Sequence, residues 1–284
     1  MNCPGCGGVE RSDKYVLDDY RVVRCASCRL LYNGDFPDAS AVPDTFDEHY
    51  YRDVQAEAFA HVDGGRGVDA SVPIYTAGLD VVEKRAGRGR LLDVGCAFGS
   101  FLAFARGRGW DVSGVEVSKY SSRIARSRGL DVHTGDLATY DAPAGTFDLV
   151  TLWDVIEHVR EVQGTISRAA RLLKPGGHLV LTTDNYRSLL SVLTEVAYRC
   201  SLGLVTYPVR CFYIPFNSCY LTRGDLLRMG SKAELREVFF MGMDYPIEKI
   251  KLSPPERVLL SALYGAGRVL RMNSQFLMVL QCSR

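Results

Sequence analysis

Residues 91–102 read LLDVGCAFGSFL: an apolar run from Leu91, a turn bracketed by Gly95 and Gly99, and a second apolar run ending at Leu102. A short leucine-rich segment that breaks at glycine and resumes as a helix opens an α/β unit, and a glycine turn brings backbone close to a ligand because it carries no Cβ. Alone, the turn is equally well a tight strand-to-helix connection, so its meaning depends on its surroundings. From Arg90 onward strand-like and helix-like segments alternate, the pattern of a parallel sheet with helices on both faces. The spacing predicts strands near 90–95, 111–117, 131–135, 147–152, 178–183, 235–242 and 275–282. It predicts helices near 99–109, 119–129, 161–173, 186–199, 222–229 and 254–271. The expected fold class is α/β, a Rossmann-like seven-stranded sheet with helices on both faces.

In such a sheet the turn lies at the carboxyl end of the first strand, where open α/β folds bind ligands. Glu116 closes the next strand in GVEVS, 23 residues after Asp93, near the interval at which an acid takes ribose hydroxyls in nucleoside-binding folds. Asp136 ends the third strand in TGDLATY, placed to accept from an adenine amino group. Either acid alone is more often a solvated strand-end residue. Glycine, glutamate and aspartate at three successive strand ends favour a nucleoside site.

The segments LLDVGCAFGSFL, GWDVSGVEVS, GLDVHTGDL, FDLVTLWDVIEHV and RLLKPGGHLVLTT resemble, in order, the motifs of class I S-adenosylmethionine-dependent methyltransferases, particularly the bacterial small-molecule group with an N-terminal zinc ribbon. The resemblance covers residues 1–34 and about 90–184. It implies a donor site over Asp93, Gly95, Cys96, Gly99, Glu116, Val117, Asp136, Leu137 and Trp153, with Tyr51 (or its neighbour Tyr50) over the methionine portion. The chain departs from the family at Ala97 and Phe98, where a third glycine is common, which narrows the turn near the methionine end. Similar enzymes that methylate carbon on nucleotide sugars have a longer C-terminal half, which weighs against a nucleotide-sugar acceptor.

Methyl transfer from a sulfonium is an in-line displacement, so alignment dominates and a base is needed only when the acceptor must lose a proton. In LWDVIEHV the strand ends near Trp153, and Asp154, Glu157 and His158 follow at the rim. The resemblance makes Glu157 and His158 catalytic candidates. A histidine titrates near neutrality, and Glu157 or Asp154 is placed to orient its ring. The competing reading is a helix-starting glutamate and a histidine that only packs or caps.

Cys3, Cys6, Cys25 and Cys28 form CPGC and CASC separated by 18 residues, the spacing of a four-cysteine zinc ribbon. Two residues between thiolates allow both sulfurs of each pair onto one tetrahedral ion. The intervening YVLDDYRVVRC alternates like a hairpin. Such a closed site is structural. Residues 1–34 carry five basic and four acidic side chains, so the ribbon has no strong electrostatic grip on phosphate.

The formal charge, 34 Lys+Arg against 33 Asp+Glu, lacks the signature of a dedicated nucleic-acid binder. No apolar run reaches a membrane span, the N-terminus lacks the order of a signal peptide, and nine cysteines with only four in tight pairs suit a reducing compartment. The expected setting is cytoplasmic, as a monomer or homodimer. The organisation reads as a ribbon (1–34), a linker with N-terminal helices (35–89) and a methyltransferase domain (90–284) with an insertion at about 186–221. That insertion, rich in aliphatic and aromatic residues, is an extra packing helix, a lid over a hydrophobic acceptor, or a membrane-surface contact. Because residues 90–184 have their own apolar strands, the core is expected to survive loss of the ribbon.

The reading as a whole is a zinc-ribbon methyltransferase acting on a small molecule, hydrophobic or a sugar derivative, at oxygen or else at carbon or nitrogen. Two rivals stand beside it: an RNA methyltransferase that docks RNA through the ribbon, and a non-catalytic binding protein on this scaffold. The near-neutral ribbon and the missing Asn/Asp-Pro-Pro-Tyr/Phe motif oppose the first. The acids at Glu116 and Asp136 and the pair Glu157-His158 oppose the second.

Overall fold

The computed structural model describes residues 1–17, 19–37, 71–247, 250 and 252–284. Tyr50, Tyr51 and the helix expected around them lie outside the described residues. Among the described residues, one sheet runs through β4 (Arg90–Val94), β5 (Asp111–Glu116), β6 (Asp131–Thr134), β7 (Phe147–Trp153), β8 (Leu173–Asp184), β10 (Leu235–Met243) and β11 (Gln275–Cys282). Its order is β6-β5-β4-β7-β8-β11-β10. β4 through β8 are parallel, and β11 is antiparallel to both β8 and β10. Order reverses between β4 and β7, so the carboxyl ends of these strands form the crevice in which α/β sheets bind ligands.

Alternation along each strand feeds two cores, since successive side chains face opposite ways. Leu91, Leu149, Val180 and Leu277 pack under α1 (Val72–Ala86) and α2 (Ser100–Gly107), with Ala125 of α3 (Lys119–Ser127). Leu92, Val150, Leu179 and Met278 pack on the other face under α4 (Val162–Leu172) and α7 (Arg223–Lys232). The residues between the helix expected to end near 173 and the strand expected from 178 form a bulge within β8: Leu173 pairs Phe147 and His178 pairs Leu149, with the residues between them extruded. Pro175 has no N–H for the ladder and Gly176 takes φ 75°, which together explain the break.

The N-terminal strands β1 (Arg11–Val16), β2 (Arg21–Cys25) and β3 (Leu31–Asn33) form an antiparallel sheet whose fourth strand is β9 (Cys219–Tyr220). β9 belongs to the insertion, so ribbon and methyltransferase region share one sheet. α5 (Leu189–Cys200) and α6 (Tyr207–Phe212) complete the insertion, and α8 (Pro254–Val269) packs against α5. A third core joins Tyr15, Tyr20 and Val22 of the ribbon to Tyr186, Val209, Tyr213 and Tyr220. Lys14 pairs with Glu195 at 2.5 Å, and the Tyr15 hydroxyl donates to the same carboxylate. Removal of the ribbon would strip β9 of its partner and expose Tyr186, Tyr213 and Tyr220 of the insertion, whereas the strands of 90–184 pair among themselves and with β11.

Candidate active site

The turn after β4 is left-handed three times, at Gly95 (φ 74°), Ala97 (φ 45°) and Gly99 (φ 80°). A Cβ on Gly95 would stand 2.4 Å from Val155 Cγ2, and one on Gly99 would stand 2.2 Å from Leu130 Cδ1. Both glycines are required by space as well as by backbone angle. Ala97 has a Cβ and pays the strain of the left-handed region, about 1–2 kcal/mol. Its N–H donates to Glu116 Oε2 at 2.8 Å, while Ser118 N–H donates to Oε1 at 2.8 Å. The buried Glu116 carboxylate thus holds the turn in which the family's glycine is replaced. Burial raises its pKa, and the N–H groups of Ser118 and Ala97 act in the opposite direction.

Asp93 is fully buried one strand away and accepts from Thr151 Oγ1 at 2.7 Å. Burial pushes it up to about 8, eased by Thr151 and aggravated by the Glu116 charge. Cys96 and Leu137 are buried and Val117 half-buried; Cys96 lies in the turn after β4, Val117 directly follows β5 and Leu137 lies in the turn after β6. Asp136 is exposed and its Oδ1 accepts from Thr139 N–H at 2.8 Å, closing the turn after β6. Trp153 lies in an aromatic cluster with Tyr75 and Phe101, each 5.0 Å away between centroids. Its buried Nε1–H has no partner among the described residues.

The second half of the crevice follows β7. Asp154 takes φ 53°, and its Oδ1 accepts from Thr182 Oγ1 at 2.8 Å. A single 3-10 turn, Ile156–His158, then carries the two candidates. The Glu157 carboxyl is buried, its Oε2 is without a partner among the described residues, and burial with the charges of Asp154 and Asp184 drives its pKa well above the usual range. Asp184 is held at about 6 by burial and by Asp154, and it accepts from Gln275 Nε2 at 3.0 Å. His158 Nδ1 lies 3.1 Å from the Phe216 carbonyl. A carbonyl only accepts, so Nδ1 carries the proton and Nε2 presents the lone pair. Burial lowers the His158 pKa, against the Phe216 bond and the Asp154 charge. Glu157 does not hold the histidine ring; that task falls to Phe216.

Residues 215–218 support this turn from behind. Ser218 N–H and Oγ–H both donate to the Glu157 carbonyl, at 2.7 and 2.9 Å. Asn217 Nδ2 donates to the Tyr186 hydroxyl at 2.9 Å. The ribbon reaches the same segment: Asn33 Nδ2 donates to the Pro215 carbonyl and Asn33 N–H to the Ser218 carbonyl, each at 2.9 Å. Sequence reasoning missed Asp184, Phe216, Asn217 and Ser218. Asp184 ends the strand LVLTTD and was legible by the strand-end rule that singled out Glu116; the others lie in a loop without periodicity.

The four ribbon sulfurs all lie within 4.8 Å of one another. Cys3 and Cys28 Sγ are 3.4 Å apart, and Cys6 and Cys25 Sγ are 3.6 Å apart. A tetrahedral zinc with 2.3 Å bonds sets sulfurs about 3.8 Å apart, so the donor set fits that ion. Each pair sits on a tight turn ended by a left-handed residue, Gly7 (φ 73°) and Arg29 (φ 68°).

A strand order with one reversed strand, a left-handed glycine turn at the first strand end and a buried acid at the second define an S-adenosylmethionine-dependent methyltransferase. The family model for the methyltransferase domain matches residues 74–236, more than half of the chain, and the chain belongs to that family. It is similar to the ubiquinone biosynthesis O-methyltransferase of Aromatoleum aromaticum, with 31% identity over 178 residues, 59% of this chain and 73% of the relative. The enzyme of the same name from Pectobacterium atrosepticum is 28% identical over 177 residues, 58% of this chain and 70% of that one. In fold it is similar to Haemonchus contortus phosphoethanolamine N-methyltransferase 2 in complex with S-adenosyl-L-methionine, with a TM-score of 0.62 at 16% identity over 89% of this chain and 62% of that one.

Proposed function

We propose that this enzyme methylates a hydroxyl of a small-molecule acceptor, with His158 Nε2 as general base. The observation that carries the reading is the fixed His158 ring: the Phe216 carbonyl holds Nδ1–H, and β7, which delivers the turn, lies beside β4, which delivers the glycine turn. The small-molecule hydroxyl is supported by the relatives named as O-methyltransferases.

In this reading Glu116 accepts ribose hydroxyls with the lone pairs left by Ala97 and Ser118, and Asp136 receives the adenine amino group at the rim. Gly95, Cys96 and Gly99 are assigned to the methionine portion with Asp93 beneath them, Val117, Leu137 and Trp153 to the nucleoside, and Tyr51, outside the described residues, to the methionine portion by resemblance alone. Bound S-adenosylmethionine supplies an electrophilic methyl on a sulfonium. His158 Nε2 takes the hydroxyl proton as the acceptor oxygen forms its bond to the methyl carbon and the carbon–sulfur bond breaks, its electron pair going to sulfur. His158 then returns the proton to solvent. Glu157, whose carboxyl is buried on the same 3-10 turn, is assigned to the acceptor side beside His158, and Asp154 restrains the turn through Thr182. Zinc on Cys3, Cys6, Cys25 and Cys28 fixes residues 1–34 as the module that braces the insertion at 186–221 against the domain at 90–284.

A product screen with labelled methyl donor against phenols, alcohols and amines tests the acceptor class. Products confined to amines refute the reading. His158→Asn should leave donor affinity unchanged and lower turnover about 10²–10⁴-fold. Equal loss of both would make His158 a support of the fold.

A further inference from the structure

We propose that the face built from α5, the 201–206 turn, α6 and α8 docks onto an anionic lipid bilayer. Exposed large apolar side chains concentrate here. Apart from Val9, Val16 and Tyr245, all those among the described residues lie within 192–216 and 258–270. Leu202 is 92% and Leu204 85% exposed at the tip between α5 and α6, and Val258 is 71% and Leu259 61% exposed on the first turns of α8. α5 contacts both α6 and α8, so these residues belong to one assembly of helices. Leu189 N–H donates to the Met272 carbonyl at 2.9 Å, tying the start of α5 to the segment after α8.

The chemistry of the occupant follows from shape and charge. Leu202 occupies the left-handed region at φ 53°, a conformation unfavourable for leucine, and its exposure means that no packing within the chain compensates. A protein partner would need a pocket for each protruding side chain, whereas a bilayer interface accepts them singly and without complementary shape. Residues 187–216 and 252–271 carry six arginines against two glutamates. Arg199, Arg210 and Arg268 are paired with Glu195, Asp19 and Asp244, which leaves Arg187, Arg257 and Arg271 against Glu256. An arginine-rich rim around apolar side chains suits anionic headgroups, and it would oppose arginine to arginine in a symmetric pairing of two copies. Among the described residues no helix is long and apolar enough to cross a membrane, so the contact is interfacial. Phe216, half-exposed, follows α6 in the chain and also supplies the carbonyl that holds His158. The docked face therefore borders the acceptor-side turn, although the docking claim does not depend on the chemistry there.

Co-sedimentation of the full-length, zinc-replete protein with phosphatidylcholine vesicles, with and without phosphatidylglycerol, tests the proposal. Binding is expected to vesicles containing the anionic lipid and to weaken with salt. The double variants Leu202→Glu/Leu204→Glu and Val258→Glu/Leu259→Glu should each bind about tenfold more weakly or worse, because the apolar contribution to burial is lost. Since these positions are exposed, their thermal unfolding should match the wild type, and the control Val9→Glu/Val16→Glu should bind normally. Absence of binding to anionic vesicles, or binding unchanged in both double variants, overturns the proposal. So does self-association without lipid in sedimentation velocity that the same variants abolish, which would make a second copy the occupant.

Discussion

Glu116→Ala tests the crevice most directly, because one carboxylate is asked to do two things. It accepts the N–H groups of Ala97 and Ser118, both at 2.8 Å, and it is assigned the ribose hydroxyls. Hydrogen bonds to a charged group contribute about 1.5–3 kcal/mol each, so deleting both costs roughly 3 kcal/mol or more, with some return if water enters. Ala97 would then lose the bond that holds its left-handed conformation, and the turn should relax. Lost stability of that size lowers the midpoint of thermal unfolding by about 5–10 °C. The turn must be restored before the donor binds, so the dissociation constant for S-adenosylmethionine should rise about 100-fold. Glu116→Gln keeps one acceptor but sets an amide –NH2 against the second backbone N–H, and should fall between wild type and alanine in both measurements. Scanning calorimetry and titration calorimetry on the same preparations separate the roles. A lower unfolding midpoint with donor affinity within about threefold of wild type would show that the donor needs neither the Glu116 carboxylate nor the turn conformation it holds. Unchanged values in both would refute the reasoning altogether.

Gly95→Ala drives a Cβ to 2.4 Å from Val155 Cγ2, so donor binding should be lost, and adding Val155→Ala should restore part of it; no recovery in the double variant would place the defect in backbone angle alone. Zinc analysis should give one ion per chain bound by the four cysteines at the ribbon, and Cys25→Ser should lower the unfolding midpoint of the whole protein in a single transition, since β3 pairs with β9. A separate early transition would mean that the ribbon melts independently. For His158 as base the neutral form is active, and burial lowers its pKa; the acceptor-saturated rate should therefore be flat through neutrality and fall only on the acid side of the ordinary histidine value, a step absent in His158→Asn. Glu83 accepts from Trp110 Nε1, Arg108 and Arg88, and burial opposed by these bonds leaves its pKa at about 2 instead of 4.5. Because the folded pKa is depressed, its contribution is present above pH 4.5 and lost as pH falls toward 2, so Glu83→Gln should cost about 1–3 kcal/mol at neutral pH and converge on wild type in acid urea melts.

The sheet was legible because its signal is local. Leu91 and Leu92 face opposite cores as a period of two requires, and every strand expected from Arg90 onward forms within a few residues of its expected place except at the start of β8. The glycine turn and the acid at Glu116 were legible for the same reason: they are short, ordered and tied to strand ends. What the sequence does not carry is tertiary pairing. Two residues, Cys219 and Tyr220, form β9 only because β3 offers an edge, and no periodicity can be read in a pair. The partner of His158 was equally invisible, being a backbone carbonyl 58 residues away, a group that every residue type possesses.

That pairing changes what the ribbon is for. Asn33 is nearly fully buried and spends its amide on the Pro215 carbonyl and its backbone N–H on the Ser218 carbonyl. Between those two anchors lies Phe216, whose carbonyl sets the tautomer of His158, and at the second anchor Ser218 binds the carbonyl of Glu157. The ribbon sulfurs stand behind the same sheet, with Cys3 and Cys25 in one core with Leu226 and Met229. In the proposed reading the four-cysteine cluster therefore needs no contact with the acceptor to matter to it. It fixes β3, β3 fixes the ends of a loop without regular structure, and that loop fixes the ring. A loop with so few hydrogen bonds of its own would otherwise sample many conformations, at an ordering cost of about 1–2 kcal/mol per residue. In that reading, a zinc ion on the four cysteines is a means of meeting that cost before the acceptor binds.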